Sequence, residues 1–161
     1  QYQKAVIKAE MMQLLVWAKA VYNAQERIYL ISGKYSSALS DLDVQLPITY
    51  DKYPELEDPA EVTGKVYLLK DKYEFGWNWT WAGGKGFPIV FNQKQSVASQ
   101  AVNPTYFIIV KSGAPDQCDG RQHCIVCLTY NIDMYNTLCE SLGGKLIPNL
   151  SNANRAYYVL P

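Results

Sequence analysis

The chain is poor in the groups that most often carry chemistry. It has a single histidine, His123, no Gly-x-Ser-x-Gly elbow and no Gly-x-x-x-x-Gly-Lys-Ser/Thr loop, so neither a hydrolase nucleophile nor a phosphate cradle has support. Gly83-Gly84-Lys85-Gly86 lacks the required spacing and reads as a turn. Asp51, Glu55, Glu57, Asp58 and Glu61 crowd one Pro-rich stretch instead of opposing one another across a cleft, which is the arrangement of a solvated loop rather than a glycosidase pair. No enzyme is expected. Net charge is also missing: Lys+Arg 15 balance Asp+Glu 15, leaving no field that would steer the chain to nucleic acid or anionic lipid. No apolar run approaches the roughly 20 residues that span a bilayer, and no basic-then-apolar signal peptide opens the sequence. The chain begins at Gln1 rather than Met, so a start further upstream is expected.

Cysteine is absent before Cys118 and then occurs four times, at Cys118, Cys124, Cys127 and Cys139. An even number in one neighbourhood reads as local disulfide stapling. His123-Cys124-Ile125-Val126-Cys127 keeps a zinc site open as a weaker alternative, since thiolates and one imidazole are suitable ligands. A thioredoxin-type dithiol is weaker still, because it requires the pair at a helix N-terminus. No cofactor and no metal are expected.

From Tyr2 to Ile31 there is neither Pro nor Gly, and Ile7, Met11, Leu14, Ala18, Val21, Gln25 and Ile28 recur at spacings of four and three. That stripe predicts a helix over 1–32, with Gly33 as its left-handed stop. Residues 11 to 18, Met-Met-Gln-Leu-Leu-Val-Trp-Ala, are apolar almost all round, and one sheet cannot cover every side. Met12, Val16 and Trp17 are therefore the candidates for an assembly face, covered either by a loop of the same chain or by a neighbouring copy of the helix.

Residues 33–61 read as a connecting region broken by Pro47, Pro54 and Pro59, with a short helical turn at Ser37 to Leu42. Over 62–161 the period changes to two. Strands are expected at Val62 to Leu69, Lys72 to Trp81, Pro88 to Phe91, Tyr106 to Lys111, Cys124 to Tyr130 and Ala156 to Leu160. A second helix is expected at Ile132 to Leu142, capped by Asn131 or Asp133 and stopped by Gly143-Gly144. Nothing marks a second domain, and helix segregated from strands predicts a single α+β domain: a long N-terminal helix on an antiparallel sheet, with a stapled C-terminal region. Within it, Phe75, Trp77, Trp79 and Trp81 alternate along one face of a strand. Packing of these rings beneath the long helix, with Trp77 and Trp79 near Leu14, Ala18, Val21 or Tyr22, is the first expectation; a sugar-stacking surface is the alternative.

Residues 1 to 46 carry a resemblance. The runs Gln1-Tyr2-Gln3-Lys4-Ala5-Val6-Ile7-Lys8-Ala9, Ala24-Gln25-Glu26-Arg27-Ile28-Tyr29-Leu30, Gly33-Lys34-Tyr35 and Leu39-Ser40-Asp41-Leu42-Asp43-Val44 resemble bacterial type IV pilins and the pseudopilins of type II secretion. Cys127 to Lys145, with Leu138-Cys139-Glu140-Ser141-Leu142-Gly143-Gly144, is similar to the disulfide-bounded C-terminal region of such pilins, while 47–117 matches nothing in them. The resemblance implies a pilin-like fold whose apolar membrane half-helix, acidic residue and cleaved leader would lie before Gln1. No Asp or Glu follows Glu140, so the calcium loop of major pseudopilins has no counterpart, which favours a pilin. The expected staples are Cys127 with Cys139, the strand-to-helix pair that the resemblance implies, and Cys118 with Cys124.

What the resemblance implies about function is a structural subunit of an extracellular filament, held in the bacterial inner membrane before assembly. Its partners would be further copies of itself and other pilin-like subunits, with no catalytic residue to carry over. The alternative is a minor pilin or a carbohydrate- or surface-binding module that uses Trp77, Trp79 and Trp81.

Overall fold

The computed structural model describes residues 2–36, 38–51, 65–77, 89–93, 105–110 and 116–161. The first helix, α1 (Tyr2–Ser32), runs for 31 residues, about 45 Å at 1.5 Å per residue. It ends where Gly33 takes φ +74° and donates its N–H to Tyr29 O at 2.8 Å, the left-handed cap expected of that glycine. No helix among the described residues is long and apolar enough to cross a membrane.

Among the described residues eight strands follow: β1 (Ile48–Asp51), β2 (Lys65–Leu69), β3 (Tyr73–Trp77), β4 (Ile89–Gln93), β5 (Thr105–Val110), β6 (Cys124–Thr129), β7 (Lys145–Leu146) and β8 (Ala156–Val159). They form one antiparallel sheet in the order β1-β2-β3-β4-β5-β6-β8-β7. The second helix, α2 (Asp133–Ser141), lies between β6 and β7 in the chain and packs on β6 and β8. The protein is thus α+β, a long helix on an antiparallel sheet with a doubly stapled C-terminal region.

The register explains the main core. Tyr67 pairs with Phe75, Phe75 with Phe91, Phe91 with Phe107, Phe107 with Cys127 and Cys127 with Tyr158, so one row crosses six neighbouring strands. Period-two alternation puts Tyr67, Phe75, Phe107, Cys127 and Tyr158 on one face. Phe75, Phe107, Cys127 and Tyr158 are buried there beneath Met11, Leu14, Ala18, Val21 and Ala24 of α1, with Tyr135, Leu138 and Cys139 of α2 beside them. Phe75 stacks on Tyr67 at 5.7 Å. Of the expected aromatic face, Phe75 is in this core, β3 ends at Trp77, and Trp79 and Trp81 lie outside the described residues.

A smaller core occupies the other face of the sheet, where Cys118, Cys124, Val126, Leu128, Tyr157 and Val159 are covered by Ile147 and Leu150. Every residue of β6 and β8 is consequently buried.

Several expectations are corrected. β1 arises inside the stretch read as connection; its four residues lie at an edge and are largely exposed, so no burial period announces them. The two-residue β7 is too short for periodicity to register. By contrast, the short helical turn expected at Ser37 to Leu42 is present, as a 3-10 turn at Leu39–Asp41. Ile132, not Asn131 or Asp133, caps α2, and no side chain bonds the cap; Asn131 instead turns the chain with φ +56° and donates its amide to Asn152 O at 2.7 Å.

Candidate functional site

The C-terminal half of α1 is locked to the chain that follows it. Gln25 is fully buried; its Nε2 donates to Ser36 O at 3.0 Å and its Oε1 accepts from Ser36 N–H at 2.9 Å. Arg27 forms a two-pronged ion pair with Asp43, at 2.8 and 2.6 Å, which holds the Asp43 carboxyl below its ordinary range. Tyr29 stacks on Tyr35 at 4.6 Å. Burial, then the nearby Glu26 carboxylate, pushes the Tyr35 phenol up to about 12. Together these contacts tie the C-terminal half of α1 to residues 35–43.

The stapled loop touches the same stretch of α1. His123 Nε2 lies 3.3 Å from Glu26 Oε1, and its ring meets Tyr22 edge-on at 5.8 Å. Cys118 bonds Cys124 and Cys127 bonds Cys139, with Cα separations of 5.5 and 5.9 Å. All four sulfurs are therefore occupied, which overturns the zinc alternative, and the one histidine serves as a helix contact.

The N-terminal half of α1 differs. Tyr2, Ala5, Ala9, Met12 and Val16, stepping by three and four residues, are all exposed along the side turned away from the sheet. Tyr2 is 85%, Met12 42% and Val16 58% exposed. Continuing along the same line, Ala20 is half-buried, Asn23 and Arg27 are exposed and polar, and Leu30 is apolar again and 82% exposed, so the stripe is interrupted by two polar residues after Ala20. Lys8 and Lys19 are exposed along one margin.

Trp17 does not belong to this stripe. It is 7% exposed, its ring meets Tyr73 edge-on at 5.6 Å, and Lys70 Nζ lies 5.6 Å above it. The cover is the β2–β3 hairpin tip, residues 70–72, which folds against the helix and is tied down by a Lys72–Glu10 ion pair. Lys70 and Asp71 take φ +52° and +55° in that tip, and Lys72 N–H closes it on Leu69 O at 3.1 Å. The three expected assembly residues thus divide: a loop of the same chain covers Trp17, and Met12 and Val16 are left bare.

No protein family, curated protein or solved structure matches the chain. Among the described residues no group of three or more His, Cys, Asp or Glu side chains converges in a way that could hold a metal.

Proposed function

We propose that this chain is the non-catalytic structural subunit of a type IV pilus-like extracellular filament and polymerises through α1. The observation that carries the reading is the bare stripe Tyr2, Ala5, Ala9, Met12 and Val16. An unbroken apolar face on the far side of a helix already packed on its own sheet is unusual in a chain that works alone. Its three-and-four spacing suits packing against a second helix. Asn23 and Arg27 interrupt the face after Ala20, and Leu30 and Ile31, both bare, resume apolar surface at the end of the helix, so neighbours could pack along more than its first half. The resemblance in residues 1 to 46 points the same way, and it implies a subunit held in the inner membrane until it assembles.

The sheet edges are poor alternatives for assembly. β1 follows Pro47 and its pairing slips between Ile48 and Tyr50, while β7 has two residues and is followed within two positions by Pro148. Irregular, short and proline-flanked edges resist strand addition.

The test is the full-length protein in its own host carrying Val16→Glu. A carboxylate in the stripe cannot be buried against a neighbour without a partner. Sheared surface filaments should vanish on electron micrographs while the isolated domain melts as before. Undiminished filaments would remove α1 from assembly and bring forward a binding module using Trp77, Trp79 and Trp81.

A further inference from the structure

The chain has three methionines, and they lie at three depths. Met11 is 1% exposed in the main core, Met134 is partly buried against that core, and Met12 is 42% exposed between Ala9 and Val16 on the bare stripe. Thioether sulfur oxidises where an oxidant can reach it. All four cysteines are in disulfides, so no thiol in this chain competes for that oxidant.

We propose that Met12 is an oxidation site, and that its sulfoxide blocks the packing of α1 against a second copy, making assembly of this subunit sensitive to hydroperoxides. The inference rests on the stripe being an assembly surface. In the reaction a lone pair on the Met12 sulfur attacks one oxygen of hydrogen peroxide, the S–O bond forms and the O–O bond breaks. The sulfur loses two electrons and the peroxide gains them. The departing hydroxide takes up the proton of the transferred oxygen, so the products are one sulfoxide and one water.

A flexible, unbranched thioether suits an adaptable helix seam; its sulfoxide is polar and stiffly oriented. Ala9 and Val16, the neighbours of Met12 along the stripe, carry no side-chain donor, and Lys8, one turn before Met12 on the margin, would have to give up its own hydration to reach the new oxygen, so packing another apolar helix over it would bury a polar acceptor at a cost. Met11, one residue earlier and 1% exposed, is an internal control for depth.

Two measurements test this. Peroxide treatment of the chain, followed by fragment-ion sequencing, should place the first added oxygen on Met12, the next on Met134 and the last on Met11; equal rates at Met11 and Met12 would overturn the proposal. Full-length subunit, reassembled into filaments after detergent removal, should then be compared untreated, peroxide-treated, and treated and repaired with methionine sulfoxide reductases. The yield is expected to fall about tenfold or more on oxidation, the scale set by one unpaired buried polar group, to return on repair, and to do the same in Met134→Leu. In Met12→Leu the yield, whatever its starting level, should no longer respond to peroxide, and Met12→Gln should assemble as poorly as the oxidised protein. Undiminished filaments from fully oxidised subunit, or wild-type assembly by Met12→Gln, would sink the oxidation site; if Val16→Glu still abolishes filaments, the role of α1 survives that failure.

Discussion

Gln25 occupies a position in the inward stripe of α1 where every neighbour is apolar, and it is as deeply buried as they are. A buried carboxamide needs partners, and the Ser36 N–H and C=O supply both. Gln25→Leu keeps the bulk but strands those two backbone groups, and should cost about 1–3 kcal/mol in urea unfolding; an unmoved midpoint would mean that Ser36 finds water instead. Gly144 is constrained by space. A Cβ there would lie 2.7 Å from Cys139 O and 3.0 Å from Tyr158 Cβ, while its own N–H bonds Cys139 O at 3.1 Å. Gly144→Ala should therefore push the end of α2 away from β8 and lower stability by about 1–3 kcal/mol, as overpacking does. A melting temperature equal to wild type would show that the turn yields without cost. Gly143-Gly144 was legible in the sequence as a helix stop; the close approach at Gly144 was not, because it is wedged between the backbone of α2 at Cys139 and Tyr158 of β8, which is distant in sequence.

β6 shows how one element serves two cores. Its alternation sends Cys124, Val126 and Leu128 to one face of the sheet and Ile125 and Cys127 to the other. The two staples consequently pin opposite faces: Cys118–Cys124 closes the small outer core, and Cys127–Cys139 ties α2 to the sheet beneath α1. Loop-closure entropy alone assigns about 2.4 kcal/mol to the shorter loop and about 3 kcal/mol to the longer. Replacing both cysteines of each pair by serine should thus destabilise more at Cys127 and Cys139 than at Cys118 and Cys124, the serines in the main core adding to the difference. Denaturant midpoints in the reverse order would show that the outer core, not the α2 contact, is the weaker joint. The hairpin tip at 70–72 is the opposite kind of element. Its sequence, Lys-Asp-Lys, carries no Gly or Asn to announce two positive-φ residues, and its role as the cover of Trp17 depends on where the sheet sits beneath α1.

At the scale of the molecule, tyrosines join the parts. Tyr22 lies on the C-terminal half of α1 and Tyr35 just beyond its end, Tyr73 beside the hairpin tip, Tyr135 on α2, and Tyr157 and Tyr158 on the two faces of β8. Burial is the leading cause that raises each of these phenols above its ordinary value, Tyr35 to about 12. An unfolded tyrosine ionises near ~10. The folded state therefore holds its protons longer, and the stability these groups contribute is complete below ~10 and lost as pH rises through their folded values. Alkaline titration should show these buried phenols ionising together with the loss of circular dichroism. Ionisation of every tyrosine near ~10 with the fold intact would contradict their burial.

Composition and pattern determined the α+β class, the length of α1, its Gly33 stop, most of the strands and a stapled C-terminal region. Each of these depends on local chemistry or on a period that neighbouring residues share. Which residues remain bare was decided by tertiary structure alone. Met12, Val16 and Trp17 are alike in the sequence, three apolar residues on the outer sides of one helix. They part company because a hairpin from the middle of the chain reaches one side of α1, covers Trp17, and leaves Met12 and Val16 to the solvent. Periodicity reports which side of a helix faces its own sheet; only contacts between distant segments decide what covers the remaining sides.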